Sequence, residues 1–132
     1  MDWDARRTCE MSRCLIVDGS SVVRKVAKRI LASDQDMVTE AEIGRSALDL
    51  VADESPEVLL VDGDLQDMDV TEFIRRVRAM SAMRQPRIIV MMNEMNLVLM
   101  TKAKRAGADD YLLKPFDRQQ LMRGLHEFAN AA

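Results

Sequence analysis

The sequence predicts an α/β fold in which a doubly wound parallel sheet carries helices on both faces. First, the chain has 132 residues, of which 48% are hydrophobic and 31% charged, as in one ordinary globular domain. Second, strand-like and helix-like segments alternate five times, which is the pattern of a parallel sheet. Third, the strands are nearly unbroken apolar runs, which indicates that both faces of the sheet are buried.

The first half of the chain supplies two strand–helix pairs. A short apolar run is followed by a helix whose apolar positions recur at a spacing of four residues, and a weaker strand and a shorter helix follow. Pro56 ends the second helix. The predicted elements are strand 14–17, a helix from Ser21 that includes Val22, Val26 and Ile30, strand 37–41 and helix 46–52.

The second half supplies the other three pairs. An apolar strand ends at Asp62, and Gly107 ends the fourth helix. The predicted elements are strand 57–61, a helix with Phe73, Ile74, Val77 and Met80, strand 88–91, helix 95–106, strand 111–113, and a last helix with Leu121, Leu125 and Phe128. We expect a tail over residues 1–12 and one domain over residues 13–130.

Composition and charge exclude several function classes. A formal net charge of −3 argues against direct nucleic-acid binding. The single histidine, His126, excludes a histidine-based metal site. Apolar runs are too short to span a membrane, and Cys9 and Cys14 are expected to be reduced in a cytoplasmic protein. The run Arg75, Arg76 and Arg78 is expected to form a solvated helix face.

Charged residues follow three of the predicted strands. Asp18, Asp62 and Lys114 come after strands 1, 3 and 5, and Met91, Met92 and Asn93 come at the end of strand 4. Because ligands gather beyond the carboxyl ends of parallel strands, these groups should meet at one rim. A carboxylate beside a lysine is a plausible nucleophile toward a phosphoryl group, and paired carboxylates favour a bound Mg²⁺.

Three segments resemble the response-regulator receiver domains of two-component signalling: LIVDGSSVVRK, VLLVDGDLQDMDV and GADDYLLKPF. The resemblance implies a flavodoxin-like sheet of strand order 2-1-3-4-5 with five helices. It implies that Asp62 is the phosphoacceptor, that Asp18 belongs to the acidic pocket and that Lys114 contacts the phosphoryl group. It also implies a histidine kinase or phosphotransfer protein as donor, Mg²⁺ on the Asp64 carbonyl, and a cis bond before Pro115.

The chain departs from the family pattern at several positions of the site. Gly19 replaces the second acid after strand 1, which is usually a metal ligand. Met92, or Met91 in the other register, replaces the Thr or Ser that senses the phosphoryl group and cannot donate a hydrogen bond. Asn93 takes the next position, beside the phosphoryl group. Gln66 and Val70 replace the usual Pro and Gly of the loop after the acceptor.

Two interpretations follow. In the first, Asp62 is still phosphorylated, and Asp18, Asp62 and Asp64 provide oxygen ligands for a weakened Mg²⁺ site. In the second, the domain is an atypical pseudo-receiver that works by protein binding without phosphorylation. A remote third alternative is a phosphatase of the haloacid-dehalogenase type, because Asp62-Gly63-Asp64 is a DxD motif.

The expected output is protein contact. Residues 97–100 are all apolar and cannot all face the sheet. The resemblance implies that helix 4, strand 5 and helix 5 form the partner face, and we expect this face to serve a stand-alone, non-enzymatic regulator with a downstream protein target. Tyr111 matches the aromatic switch position. Charges around this face would also suit a homodimer. The residues predicted for the face are Leu97, Met100, Lys104, Tyr111 and Arg118.

Overall fold

The computed structural model describes residues 13–32, 37–80 and 85–131, without the side chains of Ala32 and residues 125–131. The predicted tail at residues 1–12, Cys9 included, and the side chains of Leu125, His126 and Phe128 therefore lie outside the described residues. The strands are β1 Arg13–Val17, β2 Met37–Ala41, β3 Val58–Asp62, β4 Arg87–Met92 and β5 Asp110–Leu113. The helices are α1 Ser21–Ala32, α2 Gly44–Glu54, α3 Val70–Arg78, α4 Leu97–Ala106 and α5 Arg118–Ala131.

All strand pairs are parallel, and the sheet order is β2-β1-β3-β4-β5. The predicted flavodoxin-like topology is therefore confirmed. The order reverses between β1 and β3, which places the carboxyl ends of these two strands side by side. A crevice at such a reversal is where open α/β sheets bind ligands.

Two apolar cores enclose the sheet. Helices α2, α3 and α4 cover one face through residues that include Ala47, Phe73 and Ala103. Helices α1 and α5 cover the other through residues that include Leu31 and Leu121. Because side chains alternate along a strand, successive residues of β4 enter different cores. Met91 packs on the α1 and α5 side, and Met92 packs on the α2 to α4 side.

Helix ends follow the local sequence closely. Gly107 ends α4 with a φ of 124°, a conformation that favours glycine, and its N–H donates to the carbonyl of Ala103 at 3.0 Å. Helix α4 begins two residues later than predicted, because the Asn96 side chain caps it by accepting a hydrogen bond from the Leu99 N–H at 3.0 Å. None of the helices within the described ranges is long and apolar enough to cross a membrane.

Candidate functional site

Asp18 lies directly after β1 and is almost fully buried, with 1% of its surface exposed. Its backbone N–H donates to the Ala41 carbonyl at 3.1 Å, which continues the pairing with β2 by one step. Its Oδ1 accepts a hydrogen bond from the Ser20 N–H at 2.8 Å. Its Oδ2 accepts one from Nζ of Lys114 at 2.9 Å. A buried carboxylate needs such partners, and they hold Asp18 in one orientation.

Asp62 is the last residue of β3, and its side chain is 14% exposed. Its Oδ1 accepts hydrogen bonds from the Asp64 N–H at 3.0 Å and from Nζ of Lys114 at 3.3 Å. Its Oδ2 accepts none from any residue that the structure describes. One carboxylate oxygen is therefore held by the protein while the other remains available to a ligand.

Lys114 joins these two carboxylates. It follows β5, its backbone N–H donates to the Met92 carbonyl at 2.7 Å, and its side chain is 9% exposed. The Lys114–Pro115 bond is cis, as the resemblance implies. With two carboxylates and one ammonium, the described centre carries a formal net charge of −1, which would attract a further cation.

Burial and the neighbouring charges shift the pKa values of Asp62 and Lys114. Burial raises the pKa of Asp62 above its ordinary value, and the nearby charge of Asp18 adds to the effect, while the Asp64 N–H and Lys114 oppose it. For Lys114, burial lowers the pKa, but the hydrogen bonds and charges of Asp18 and Asp62 outweigh it and leave the pKa raised. Lys114 therefore stays protonated beside its two partners.

The position at which the resemblance places a phosphoryl-sensing hydroxyl holds a buried, apolar side chain in this protein. The structure places Met92, and not Met91, on the side of the sheet where Tyr111 packs. Met92 is buried, and the Tyr111 hydroxyl donates to the Met100 carbonyl in α4 at 2.7 Å. The hydroxyl of Tyr111 is therefore already engaged with α4 in this arrangement.

The remaining predicted site residues differ in how closely they join the centre. Asp64 contacts Asp62 through its backbone N–H, and the residue itself is exposed. Asn93 is exposed as well. Within the described ranges, no three acidic, histidine or cysteine side chains come together as a metal-binding group. The structure thus joins Asp18, Asp62 and Lys114, but not the carboxylate of Asp64.

The predicted partner face contains a groove of about 410 Å³ between α4, β5 and α5. Its wall includes Met92, Met95, Met100, Tyr111 and Leu121. Beside it, Leu97 and Val98 are 70% and 65% exposed, which agrees with the expectation that residues 97–100 cannot all face the sheet.

Two other predicted members of that face have different surroundings. Lys104 is exposed on α4. Arg118, in contrast, donates from Nη1 to the Ile30 carbonyl of α1 at 3.3 Å. Of the five residues predicted for the face, Arg118 is thus the one that the structure ties to α1.

One expectation about the arginine run is wrong. Arg75 and Arg76 are exposed, but Arg78 is half-buried. Its guanidinium donates to the carbonyls of Gly107 and Pro86, each at 2.7 Å, and to Asp109 Oδ2 at 2.9 Å. A long side chain with five donors can bridge distant loops, and the sequence pattern of a charged helix face does not show this.

Comparisons with known proteins agree with this geometry. The family model for the response regulator receiver domain matches residues 14–126 of this chain. The chain is 33% identical over 117 residues to a chemotaxis protein CheY homolog of Campylobacter jejuni subsp. jejuni serotype O:23/36 (strain 81-176), covering 87% of this chain and 90% of that protein. It is 30% identical over 121 residues to chemotaxis protein CheY of Bacillus subtilis (strain 168), covering 89% and 98%. The solved structure of chemotaxis response regulator CheY4 of Vibrio cholerae superposes with a TM-score of 0.82 at 27% identity, covering 89% of this chain and 98% of that one.

Proposed function

This chain belongs to the response regulator receiver family, and from that premise we propose that it accepts a phosphoryl group on Asp62 from a histidine kinase or phosphotransfer protein. The observation that carries the proposal is the placement of the Lys114 ammonium between the carboxylates of Asp18 and Asp62, at 2.9 and 3.3 Å. This arrangement holds Oδ1 of Asp62 and leaves Oδ2 with no partner among the described residues.

The proposed reaction is a phosphoryl transfer from nitrogen to oxygen. Oδ2 of Asp62 attacks the phosphorus of a phosphohistidine, the P–N bond breaks, and the imidazole leaves with the electron pair and takes a proton from solvent. The product is an acyl phosphate on Asp62. Lys114 stabilises the charge on the transferring oxygens, since its fixed ammonium already lies at the carboxylate.

The residues of this centre fit a Mg²⁺ ion, but as a site with few protein ligands and therefore weak binding. Mg²⁺ takes oxygen ligands, keeps several waters and needs only one or two protein carboxylates besides phosphate oxygens. Asp18 and Asp62 provide two carboxylates at one rim, joined by Lys114, and the backbone carbonyl of Asp64 would add a third oxygen, as the resemblance implies. A bound Mg²⁺ would neutralise charge on the phosphoryl group. The exposed carboxylate of Asp64 is the least supported ligand.

Signal output is proposed to pass through the α4–β5–α5 face to a downstream protein in the cytoplasm. The exposed apolar side chains of Leu97 and Val98 beside the groove support this proposal, because exposed apolar patches mark interaction sites. Methionine at positions 92, 95 and 100 supplies a groove lining that can adapt to a partner. Asn93 and Tyr111 are proposed as the phosphoryl-contact and switch residues respectively.

One observation favours the second candidate function, a pseudo-receiver that binds its partner without phosphorylation. Met92 is buried where the family uses a hydroxyl, and the Tyr111 hydroxyl is already bonded to Met100. In this alternative the groove would be equally available whether or not Asp62 is modified. Family membership disfavours the DxD phosphatase, because receiver domains are signalling modules.

The two candidates are separated by a phosphorylation assay on the whole chain. With acetyl phosphate and Mg²⁺, we expect intact-mass analysis to show one added phosphoryl group that hydroxylamine removes. Asp62→Asn should abolish it, and Asp64→Asn, which changes an exposed acid two residues away, should retain it. Absence of the modification in the unaltered chain at millimolar Mg²⁺ would leave the pseudo-receiver as the better description.

A further inference from the structure

The loop between β3 and α3 directly follows the phosphoacceptor and contacts the first turn of α2. The Asp67 carboxylate accepts hydrogen bonds from the backbone N–H groups of Gly44 and Arg45 at 2.7 and 2.9 Å. Met68 is half-buried, and a Cβ atom built on Gly44 would lie only 3.0 Å from its Cγ and Sδ atoms. Two successive residues of this loop are therefore fixed to α2.

The same loop also holds the phosphoacceptor. The backbone N–H of Asp64 donates to Oδ1 of Asp62 at 3.0 Å, and further along the loop Asp67 accepts its bonds from α2. The N–H of Gly63 donates to the Met91 carbonyl at 2.8 Å, which fixes the start of the loop to β4. A group that binds Asp62 and displaces this loop would therefore act on the attachment at Asp67.

The connection that the resemblance implies lacks one of its partners. The family places a hydroxyl after β4, but Met92 stands there and cannot donate a hydrogen bond. The Tyr111 hydroxyl donates to the Met100 carbonyl in α4. The loop that contains Asp64 and Asp67, in contrast, makes hydrogen bonds at both ends, one to the phosphoacceptor and two to α2.

We propose that Asp67 is a positioning residue that couples the phosphoacceptor centre to α2. Its bonds with α2 keep the Asp64 N–H against Oδ1 of Asp62. A phosphoryl group on Asp62 displaces the loop and, through Asp67, the first turn of α2. The inference rests on the proposed function for its regulatory role. The coupling itself is a property of the fold, and it acts in both directions.

A pair of substitutions separates this coupling from simple capping of α2. Asp67→Ala removes both bonds with the helix. Ile43, the N-cap residue, has an extended backbone with φ −131° and ψ 163° and supplies no side-chain cap. Ile43→Thr keeps a β-branched side chain and adds a hydroxyl that can cap α2 locally. In the double variant α2 is capped but no longer tied to the loop. Asp49→Ala, at an exposed position within α2, is the control.

The first experiment follows backbone amides by NMR while Mg²⁺ and beryllofluoride, an analogue of the phosphoryl group, are added to the whole chain. The Asp64 amide reports occupancy of the centre, and the Gly44 and Arg45 amides report the first turn of α2. We expect all three amides to shift in the unaltered chain and in Asp49→Ala. In the double variant the Asp64 shift should remain, while the Gly44 and Arg45 shifts should largely disappear.

The second experiment needs no ligand and measures amide hydrogen exchange. Asp62→Ala removes the acceptor of the Asp64 N–H, and exchange at Gly44 and Arg45 should rise at least about fivefold relative to the Val51 amide, as expected for two coupled sites. Because coupling is reciprocal, exchange at Asp64 should rise by a similar factor in the double variant. Asp49→Ala should change neither.

The outcomes distinguish failure of the coupling from failure of the proposed function. A shift at Asp64 without shifts at Gly44 and Arg45 in the unaltered chain would overturn the coupling and leave phosphorylation intact. Shifts that persist at Gly44 and Arg45 in the double variant would reduce Asp67 to a cap. If Asp64 itself does not shift, the proposed function fails, and unchanged exchange in both variants would then overturn the coupling as well.

Discussion

The ammonium of Lys114 lies 2.9 Å from the carboxylate of Asp18, although 96 positions separate the two residues. The contact joins the end of β5 to the end of β1, across β3 and β4. The same ammonium lies 3.3 Å from Asp62, so one cation serves two acids. Because burial makes an unpaired charge costly, this relationship governs both the stability and the chemistry of the rim.

Removing the ammonium should therefore destabilise the fold. Lys114→Met leaves two neighbouring carboxylates without their cation, and we expect the free energy of unfolding to fall by about 3 kcal/mol at neutral pH. Burial raises the pKa of Asp62, and a protonated Asp62 no longer needs the cation, so the deficit should shrink as the pH falls. Urea unfolding at several pH values measures it. Lys104→Met, at an exposed site, is the control, and an equal loss in both variants would contradict the expectation.

Neutralising Asp62 should have the opposite effect. Burial raises the pKa of Asp62 above its ordinary 3.8, so the folded state favours the protonated form. The resulting stabilisation is complete below the unfolded pKa and is lost as the pH rises through the folded pKa. Asp62→Asn should thus raise the thermal midpoint at neutral pH, and the gain should disappear below about pH 4.

The control for that experiment is Asp64→Asn, which removes an exposed carboxylate two residues further on. It should leave the midpoint nearly unchanged across the same pH range. A lower midpoint for Asp62→Asn at neutral pH would mean that its bond with Lys114 outweighs the effect of its burial.

Asp67 should stabilise a helix that its own neighbours leave uncapped. The Ile43 side chain supplies no cap to α2, but Asp67 accepts hydrogen bonds from the Gly44 and Arg45 N–H groups at 2.7 and 2.9 Å. Desolvation raises the pKa of Asp67, yet these N–H bonds outweigh it and leave the pKa lowered from 3.8. Asp67→Ala should lower the free energy of unfolding by about 1 kcal/mol.

This loss should depend on pH in a defined direction. The lowered pKa gives stabilisation that is present above the unfolded value and is lost as the pH falls through the folded value. Unfolding curves of Asp67→Ala and the unaltered chain should therefore converge in acid. Asp49→Ala, at an exposed position within α2, should show no such convergence.

Arg78 should act as a structural connector at the opposite end of the sheet. Its guanidinium donates to the carbonyls of Gly107 and Pro86 and to Asp109. These bonds join α3 to the loop before β4 and to the loop between α4 and β5. Arg78→Lys keeps the charge but loses the fork of donors, so we expect about 2 kcal/mol of destabilisation. Chemical unfolding measures this, and Arg75→Lys, which is exposed, should stay within about 0.5 kcal/mol of the unaltered chain.

The sequence predicts the fold and the meeting of Asp18, Asp62 and Lys114 at one rim, because both follow from short-range rules. Strand and helix periods mark the elements, and residues after parallel strands necessarily meet at one rim. Asp18, Asp62 and Lys114 each obey that rule. Met92 was harder to assign, since moving the end of β4 by one residue exchanges Met91 and Met92 between opposite faces.

Contacts between loops could not be predicted in this way. Arg78 meets Gly107 across 29 positions, and Gln66 meets Gly19 through side-chain packing that no periodic pattern records. Both depend on the exact path of loops and on long, flexible side chains, whose direction is set only after the strands pair. A single sequence carries no signal for such pairs.

Gly63 links the phosphoacceptor to α4 through an unusually close approach. A Cβ at this position would lie 2.9 Å from Cδ2 of Leu99 and 3.1 Å from the Met91 carbonyl, to which the Gly63 N–H donates at 2.8 Å. Gly63→Ala should therefore lower the free energy of unfolding by about 1–3 kcal/mol through overpacking. The strain should also displace α4, which NMR would detect as amide shifts at Leu97 and Val98.

A second substitution shows which of the two contacts of the methyl group added in Gly63→Ala causes the strain. Leu99→Ala removes the side chain that meets it, while the Met91 carbonyl is backbone and stays in place. The double variant should be less destabilised than the sum of the single variants, by about 0.5 kcal/mol or more, because neighbouring groups couple. Additive losses would assign the strain to the Met91 carbonyl alone, and α4 would then not sense changes beside Asp62 through Leu99.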